Sequence, residues 1–374
     1  MTKKRVLFVI TEDWALISHR LHLAEAAIKL GYEVGVVTRV TKYRDMLEAR
    51  GLKVFHWRLE RRSLNPINEI LTIIQLWKIL SLFQPVIIHA VAQKPVIYAG
   101  LALKFFKPVR FVAALGGVGF IFTARSVKAS ILKPLVKFYL KFALRGRNTA
   151  LILQNKDNIQ TISNLNIISE NRIRLVRGAG VEIEKYCPSP IPKGVPMIIL
   201  PARMLWDKGV AEFVRVARRI KAQGVTARFT LVGDIDQHNP ASVTQQQIDQ
   251  WVEEGVVEQW GRRDDMDTVY PQASIVCLPS YNEGMPKVLL EAASCARPIV
   301  AFDVSGCREI VRDGVNGFLV NFGNETALET AIVTLIKDKS LCKKMGVNGR
   351  EIVEKEFSGE MINAQTFGIW NEAQ

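Results

Sequence analysis

Leu278-Pro-Ser-Tyr-Asn-Glu-Gly-Met-Pro-Lys-Val-Leu-Leu-Glu-Ala-Ala-Ser-Cys-Ala-Arg-Pro298 joins two apolar runs, Ile275–Pro279 and Pro298–Phe302, and reads as strand, loop, helix, strand. Gly284 accepts backbone angles that other residues resist, and Pro286 suits a first helical position, so a helix should begin near Pro286. The N–H groups of Lys287, Val288 and Leu289 would then face out of the carboxyl end of the strand. There, hydrogen bonds and the helix dipole together stabilise a phosphate. Glu283 hangs over that place from the loop, whose Gly284 and Met285 border it. Glu291 lies more than a turn deeper, inside the apolar run Val288-Leu-Leu-Glu-Ala-Ala-Ser-Cys-Ala296, where an unpaired carboxylate is costly. It requires a partner, and a ribose diol is a suitable one; the plainer alternative is two ordinary helix-face glutamates.

The same grammar extends in both directions. Strand-like runs at Met197–Leu200, Arg228–Val232 and Val256–Trp260 precede the quoted stretch, with helical patterns between them. Upstream of a Pro- and Gly-rich linker at about 180–196, further apolar runs occur at Val6–Ile10, Glu33–Thr38, Val86–His89, Arg110–Ala114 and Ala150–Gln154. A helix around Leu21–Leu30, closed by Gly31, makes the opening a βαβ unit. The strands are continuously apolar, as expected when helices cover both faces of a parallel sheet. Two doubly wound α/β domains are expected, at 1–185 and 186–357, with a helix over 358–374 packing back toward the first.

Length agrees, since 374 residues exceed what one hydrophobic core usually serves. An apolar share of 48% and a charged share of 23% exclude a disordered or collagenous chain. Five cysteines (187, 277, 295, 307, 342) form no C-x-x-C pair and mostly sit in apolar runs, which argues against disulfides and zinc and for a reducing cytoplasm. The N-terminus turns polar at Thr11-Glu12-Asp13 with no small-residue cleavage site, so it reads as a buried strand, not a signal peptide. No run of 18 uninterrupted apolar residues predicts a spanning helix.

The charge is lopsided. Residues 1–180 hold 29 Lys and Arg against 10 Asp and Glu, and residues 181–374 hold 21 against 26; residues 101–150 alone hold ten cations and no acid. A polyanionic partner for the first half follows: an anionic membrane face, a phosphorylated substrate or nucleic acid. Nucleic acid is not expected, because the basic run carries no recognised binding motif.

A second signal lies at Leu200-Pro-Ala-Arg-Met-Leu-Trp-Asp-Lys-Gly209, after a strand. Arg203 and Lys208 fall in a strand-to-helix loop on the same sheet edge as Glu283, where two cations can neutralise a diphosphate leaving group. Structural salt bridges are the alternative reading. Asp234-Ile-Asp236 invites a metal, but two carboxylates supply too few oxygens for a hard cation, and none is expected.

Together the Glu283-x7-Glu291 spacing, the Arg203-x4-Lys208-Gly209 motif and Asp303-Val-Ser-Gly-Cys-Arg-Glu-Ile-Val-Arg-Asp-Gly-Val-Asn-Gly-Phe-Leu-Val320 resemble the retaining GT-B glycosyltransferases of family 4. The likeness runs along essentially the whole chain and is strongest over 197–320. It implies two facing Rossmann-like domains with an interdomain cleft and a nucleotide-sugar donor on the second. It further implies roles: Arg203 and Lys208 on the diphosphate, Glu283 on the sugar hydroxyls, Glu291 on the ribose, and Arg262 and Arg263 beside the base. The donor implied is a UDP-linked N-acetylhexosamine or hexose, with GDP donors left open and no cofactor or metal required.

Three N-terminal segments, Thr11–Arg20, Ile88–Pro95 and Ala114–Thr123, resemble the branch acting on polyprenyl-diphosphate-linked saccharides in bacterial surface-polysaccharide and glycan assembly. His19 and Arg20 at the start of the first helix, His89 and Lys94 after a strand end, and Gly117 become candidate acceptor ligands, with packing roles as the alternative for the histidines and Lys94. His22, His56 and His238 show no constellation. Two departures stand out. Glu12-Asp13-Trp14 replaces the usual double-glycine loop, and Leu115-Gly116-Gly117 replaces a His often found near the reacting carbon, so no conventional base is assigned. Lys133, Lys137, Lys141 and Arg145 recur every four residues in 125–145, flanked by Leu135, Phe138, Tyr139 and Phe142. Such a helix, with Pro134 near its start, can lie on an anionic leaflet, and the chain is expected in the cytoplasm at the inner face of the plasma membrane. A core-packed helix with a solvated basic face is the alternative. Two other functions fit the frame: a nucleotide-sugar epimerase needing no acceptor, and a membrane- or polyanion-binding protein that has lost catalysis.

Overall fold

A computed structural model describes residues 3–372, apart from 61, 62, 64, 118–126, 237 and 238; of 127–132 it describes the backbone only. The chain forms two compact units, Met1–Ala179 with Ile362–Gln374, and Gly180–Met361. Each is built on one parallel sheet, and both sheets rank among the doubly wound α/β type expected.

The first unit's strands are β1 (Arg5–Glu12), β2 (Glu33–Arg39), β3 (Lys53–His56), β4 (Ile87–Val91), β5 (Arg110–Leu115), β6 (Thr149–Leu153) and β7 (Ile173–Leu175). They lie in the order β3-β2-β1-β4-β5-β6-β7. Its helices are α1 (Asp13–His19), α2 (Leu21–Lys29), α3 (Arg44–Ala49), α4 (Pro66–Phe83), α5 (Gln93–Ala102), α6 (Val127–Ala143) and α7 (Lys156–Asn164). One face of the sheet packs Leu7, Val9, Ile88 and Phe111 against α4, α5 and α6; the other packs Val6, Phe8 and Ile10 against α1 and α2. Both faces are covered, so the strands read as unbroken apolar runs.

The second unit's strands are β8 (Met197–Pro201), β9 (Arg228–Val232), β10 (Glu258–Gly261), β11 (Ile275–Leu278), β12 (Ile299–Phe302) and β13 (Gly317–Val320), ordered β10-β9-β8-β11-β12-β13. Its helices are α8 (Val210–Ala222), α9 (Gln245–Glu253), α10 (Met266–Val269), α11 (Lys287–Ser294), α12 (Ser305–Ile310), α13 (Glu325–Lys337) and α14 (Lys339–Glu356). The last helix, α15 (Gly359–Asn371), belongs to the first unit from Ile362 onward, where Trp370 packs edge-on against Phe8.

Three strands escape the sequence reading: β3, β7 and β13. All sit at sheet edges, where one side has no neighbour and the apolar run shortens to three or four residues. Helix α1 is a further departure. Asp13 to His19 forms two turns where a loop is expected, and Pro134 lies inside α6, well past its start. No uninterrupted apolar run of 18 residues occurs, as the sequence reading has it. Among the described residues α4 is long and apolar enough to cross a bilayer, by length and composition. Yet Leu76, Ile79, Leu80 and Phe83 of α4 are buried on the sheet.

Candidate active site

In the second unit the chain runs outward through β8, β9 and β10, then returns to β11 beside β8. Where a parallel sheet reverses in this way, the loops after the two central strands diverge and leave a crevice at their carboxyl ends. Those loops are residues 202–209 and 279–286.

Gly209 brings them together. It has φ +74°, and a Cβ there would lie 2.0 Å from the carbonyl oxygen of Pro279. The carbonyl of Asp207 accepts from the N–H of Tyr281 (2.9 Å) and from the Ser280 hydroxyl (3.2 Å). With the backbones pinned, Lys208 Nζ donates to Glu283 Oε1 at 2.6 Å, and both side chains are mostly buried, 19% and 13% exposed. The Glu283 carbonyl is held from the other side by the N–H of Gly306 (3.1 Å), where any Cβ would come within 2.7 Å. Next to Gly306, burial first and then the Glu283 charge push the Cys307 thiol well above its ordinary range. It is therefore no nucleophile at neutral pH.

Helix α11 starts at Lys287 with Pro286 as its N-cap. Of the three N–H groups expected to be open, that of Leu289 already donates to the Pro286 carbonyl at 3.0 Å. Glu291 is buried and its partner comes from the protein. Tyr270 donates its hydroxyl to Oε2 at 3.0 Å, and Lys287 lies 3.3 Å from Oε1. Burial, then the charge of Glu291, raises the Tyr270 hydroxyl well above its usual pKa, so it stays a donor. Tyr270 carries no signal in the sequence, because it lies 21 residues before its partner on a different element.

Arg203 departs from the expected grouping. Half exposed, it pairs with Asp236 (3.0 Å), not with Lys208 or Glu283. Asp234, the other aspartate of that pair, lies 4.0 Å from Arg262. Arg262 also meets Asp264, and Arg263 makes a two-toothed pair with Asp265 while lying over the Trp260 ring. Met285, just before α11, and Val288, within it, are partly buried, and Leu289 is fully buried.

The first unit treats its candidates differently. His19 ends α1 instead of starting a helix, and Arg20, almost wholly buried between α1 and α2, donates to the His19 carbonyl (2.9 Å). Desolvation lowers the Arg20 pKa to about 10. His89 lies within β4, not after it, and is 1% exposed; its Nδ1 accepts from the Trp370 indole at 3.0 Å. Lys94 donates to the carbonyls of Glu60 (2.9 Å) and Ser63 (2.7 Å) and to Glu69 (3.1 Å). Neither His89 nor Lys94 is placed to hold an acceptor. Burial silences the first, and three acceptors occupy the second. Gly117 follows β5, and among the described residues no atom lies within 4 Å of where its Cβ would be. Where a double-glycine loop is expected, Glu12 ends β1 and Asp13 and Trp14 begin α1 directly. The buried Asp13 carboxylate accepts from the N–H groups of Thr41, Lys42 and Tyr43 and from the Thr41 hydroxyl.

These two sheets are those of glycosyltransferases of the GT-B fold. Residues 5–155 match the family of glycosyl transferase 4-like domains, and residues 195–338 match glycosyl transferases group 1. The chain belongs to this glycosyltransferase family, as the motif reading implied. One similar protein, from Campylobacter jejuni, is N,N'-diacetylbacillosaminyl-diphospho-undecaprenol alpha-1,3-N-acetylgalactosaminyltransferase, 27% identical over 93% of both chains. Another, from Escherichia coli, is UDP-Gal:alpha-D-GlcNAc-diphosphoundecaprenol alpha-1,3-galactosyltransferase, 24% identical over 79% of both. Among solved structures, Anabaena HepE in complex with UDP superimposes with a TM-score of 0.77 at 20% identity, over 97% of this chain and 98% of that one.

Proposed function

We propose that the protein transfers a sugar, with retention at the anomeric carbon, from a UDP-linked hexose or N-acetylhexosamine to a saccharide carried on polyprenyl diphosphate, in bacterial surface-polysaccharide or glycan assembly. The observation that carries this is the Lys208–Glu283 pair, held by two close backbone approaches at the reversal of the second sheet. The names of the two relatives, both acting on undecaprenyl-diphosphate-linked sugars, support the acceptor.

Lys208 neutralises the departing diphosphate, with Arg203 reaching it when it leaves Asp236, and Glu283 takes the hydroxyls of the donor sugar. Glu291, fixed by Tyr270 and Lys287, accepts from the ribose through its remaining lone pairs. Backbone groups of Gly284 to Val288 face the phosphates, and Arg262 and Arg263 border the base. The bond from the anomeric carbon to the phosphate oxygen breaks as the acceptor oxygen bonds to the same face, and its proton passes to the leaving phosphate. No separate base or metal takes part. His19 and Gly117 are the acceptor ligands of the first unit, with the buried Arg20 holding the His19 backbone, and that unit sits at the inner face of the plasma membrane through 125–145.

Purified protein, labelled UDP-sugar and lipid-linked acceptor test this. Lys208→Ala and Glu283→Ala are each expected to reduce transfer about 10²–10³-fold, the usual loss when a group stabilising developing charge is removed. Full activity in both variants would overturn the assignment.

A further inference from the structure

Helix α4 is apolar on the side that meets water as well as on the side that meets the core. Asn65 caps it, accepting from the N–H of Ile67 (3.0 Å), and Pro66 fills its first turn. From there Ile67, Ile70, Leu71, Ile74 and Trp77 recur three or four residues apart and are all exposed, Ile70 by 57% and Trp77 by 40%. A helix hydrophobic all round is normally buried on every side, and a continuous exposed apolar stripe marks a surface meant to be covered.

The stripe continues beyond the helix. Trp77 donates its indole N–H to the carbonyl of Phe105 (3.0 Å), whose ring is 82% exposed. The neighbouring Lys104 lies over the ring of Phe142 on α6, and Phe142 stacks on the exposed Phe138. Helices α4 and α6 thus flank α5 and present one apolar face, crossed by a seam of aromatic rings. Around it stand Lys78, Lys104, Lys107, Lys141 and Arg145, all exposed, in a region whose residues 101–150 contain no acid.

We infer that this face lies in the plane of an anionic bilayer, with α4 as its apolar insertion and the cations of α6 and the 104–107 segment on the headgroups. Charge decides the occupant. A second copy docking through the same face would set one basic rim against another, because a two-fold interface is self-complementary. An anionic leaflet meets rim and stripe together, with Trp at the depth such rings prefer. The helix lies on the membrane without spanning it, because Leu76, Leu80 and Phe83 remain packed on the sheet. This rests on the membrane reading above and deepens it by adding α4 to the 125–145 segment as the apolar part of the anchor.

Flotation of the full chain with phosphatidylethanolamine–phosphatidylglycerol vesicles, without donor or acceptor, tests it. The double variant Ile70→Ser, Ile74→Ser is expected to lose at least tenfold in vesicle affinity both at low salt and near 1 M salt, where charges reach only about 3 Å. Lys137→Glu with Lys141→Glu is expected to lose affinity at low salt alone. Brominated lipid should quench the wild type more than Trp77→Phe. Unchanged flotation of a folded Ile70→Ser, Ile74→Ser protein, checked by circular dichroism, or equal quenching in Trp77→Phe would overturn the inference. So would a dimer that this double variant dissolves, since the occupant would then be a second copy. Sugar transfer to a detergent-soluble acceptor is read separately, so either proposal can fail alone.

Discussion

The carboxyl ends of β8 and β11 in the second unit and of β1 and β4 in the first are the same place in the same topology. The two places have been put to different uses. In the second, the loops touch backbone to backbone, and the side chains that result, Lys208 and Glu283, are a cation and an anion at the rim of the sheet. In the first, the comparable polar residues are turned inward: Asp13 gathers three N–H groups and a hydroxyl of the next loop, Lys94 holds the carbonyls of Glu60 and Ser63, and His89 is sealed by Trp370. A topology supplies a crevice, and the residue types at its rim decide whether it binds or closes. An acid at the end of the first strand finds backbone donors and buries; a glycine at the end of the loop draws two chains together and leaves the side chains to meet.

Gly209→Ala should break the second unit's half of this comparison most severely. Its Cβ would stand 2.0 Å from the Pro279 carbonyl in a left-handed backbone conformation, so the loops have to part. Overpacking costs about 1–3 kcal/mol and the positive φ adds about 1–2 kcal/mol, giving a loss of about 3 kcal/mol. Hydrogen exchange should show it in the second unit only, and sugar transfer should fall with it as Lys208 and Glu283 separate. A variant with undiminished stability and transfer would mean that the pair assembles without the close approach.

Asp13→Ala is the corresponding cut in the first unit, and somewhat smaller. The N–H groups of Thr41, Lys42 and Tyr43 lose their acceptor, which is expected to cost about 2 kcal/mol, confined to the first unit. UDP binding by the second unit should be unchanged. Burial raises the Asp13 pKa, but the Thr41 hydroxyl and the backbone donors outweigh it and leave it lowered. A lowered carboxylate stabilises the fold above the unfolded pKa of about 3.9 and loses that contribution as pH falls below it. The wild type should therefore lose stability below about pH 4 more steeply than Asp13→Ala does, as urea titrations would show.

What the sequence discloses follows the same division. The second unit's rim is legible, because its chemistry lies in short stretches: Arg203 to Gly209, Glu283 to Glu291, and the Ser305-Gly306 start of α12 sit within contiguous motifs. The central strands are legible as well, being buried on both faces. What stays hidden depends on tertiary partners. Nothing in Val269-Tyr270-Pro271 announces a donor for Glu291, and nothing near Arg203 separates a phosphate ligand from a partner of Asp236. His89 and Lys94 look like ligands in sequence because their type and spacing suit one; only Trp370 of α15 and the carbonyls of Glu60 and Ser63 show where their valences go. The stripe on α4 escapes for another reason. Its apolar residues suggest a core helix, and exposure is decided by which helices cover it.

His89 gives the mildest and most discriminating test. Trp370 donates to its Nδ1, so the ring proton sits on Nε2, and protonating Nδ1 would set two donors face to face. Burial first, and then the nearby Arg20 charge, hold its pKa well below 6.5. For a depressed group the contribution to stability is complete above the unfolded value and declines as pH falls, because the unfolded chain takes up a proton that the folded one refuses. Between pH 7.5 and 5.5 the first unit should lose about 1.4 kcal/mol on this account. His89→Gln keeps an acceptor for the Trp370 indole and has nothing to titrate, so its urea midpoint should stay level over that range. A variant as acid-sensitive as the wild type would place the sensitivity elsewhere and dissolve the contrast between a sealed rim and an open one.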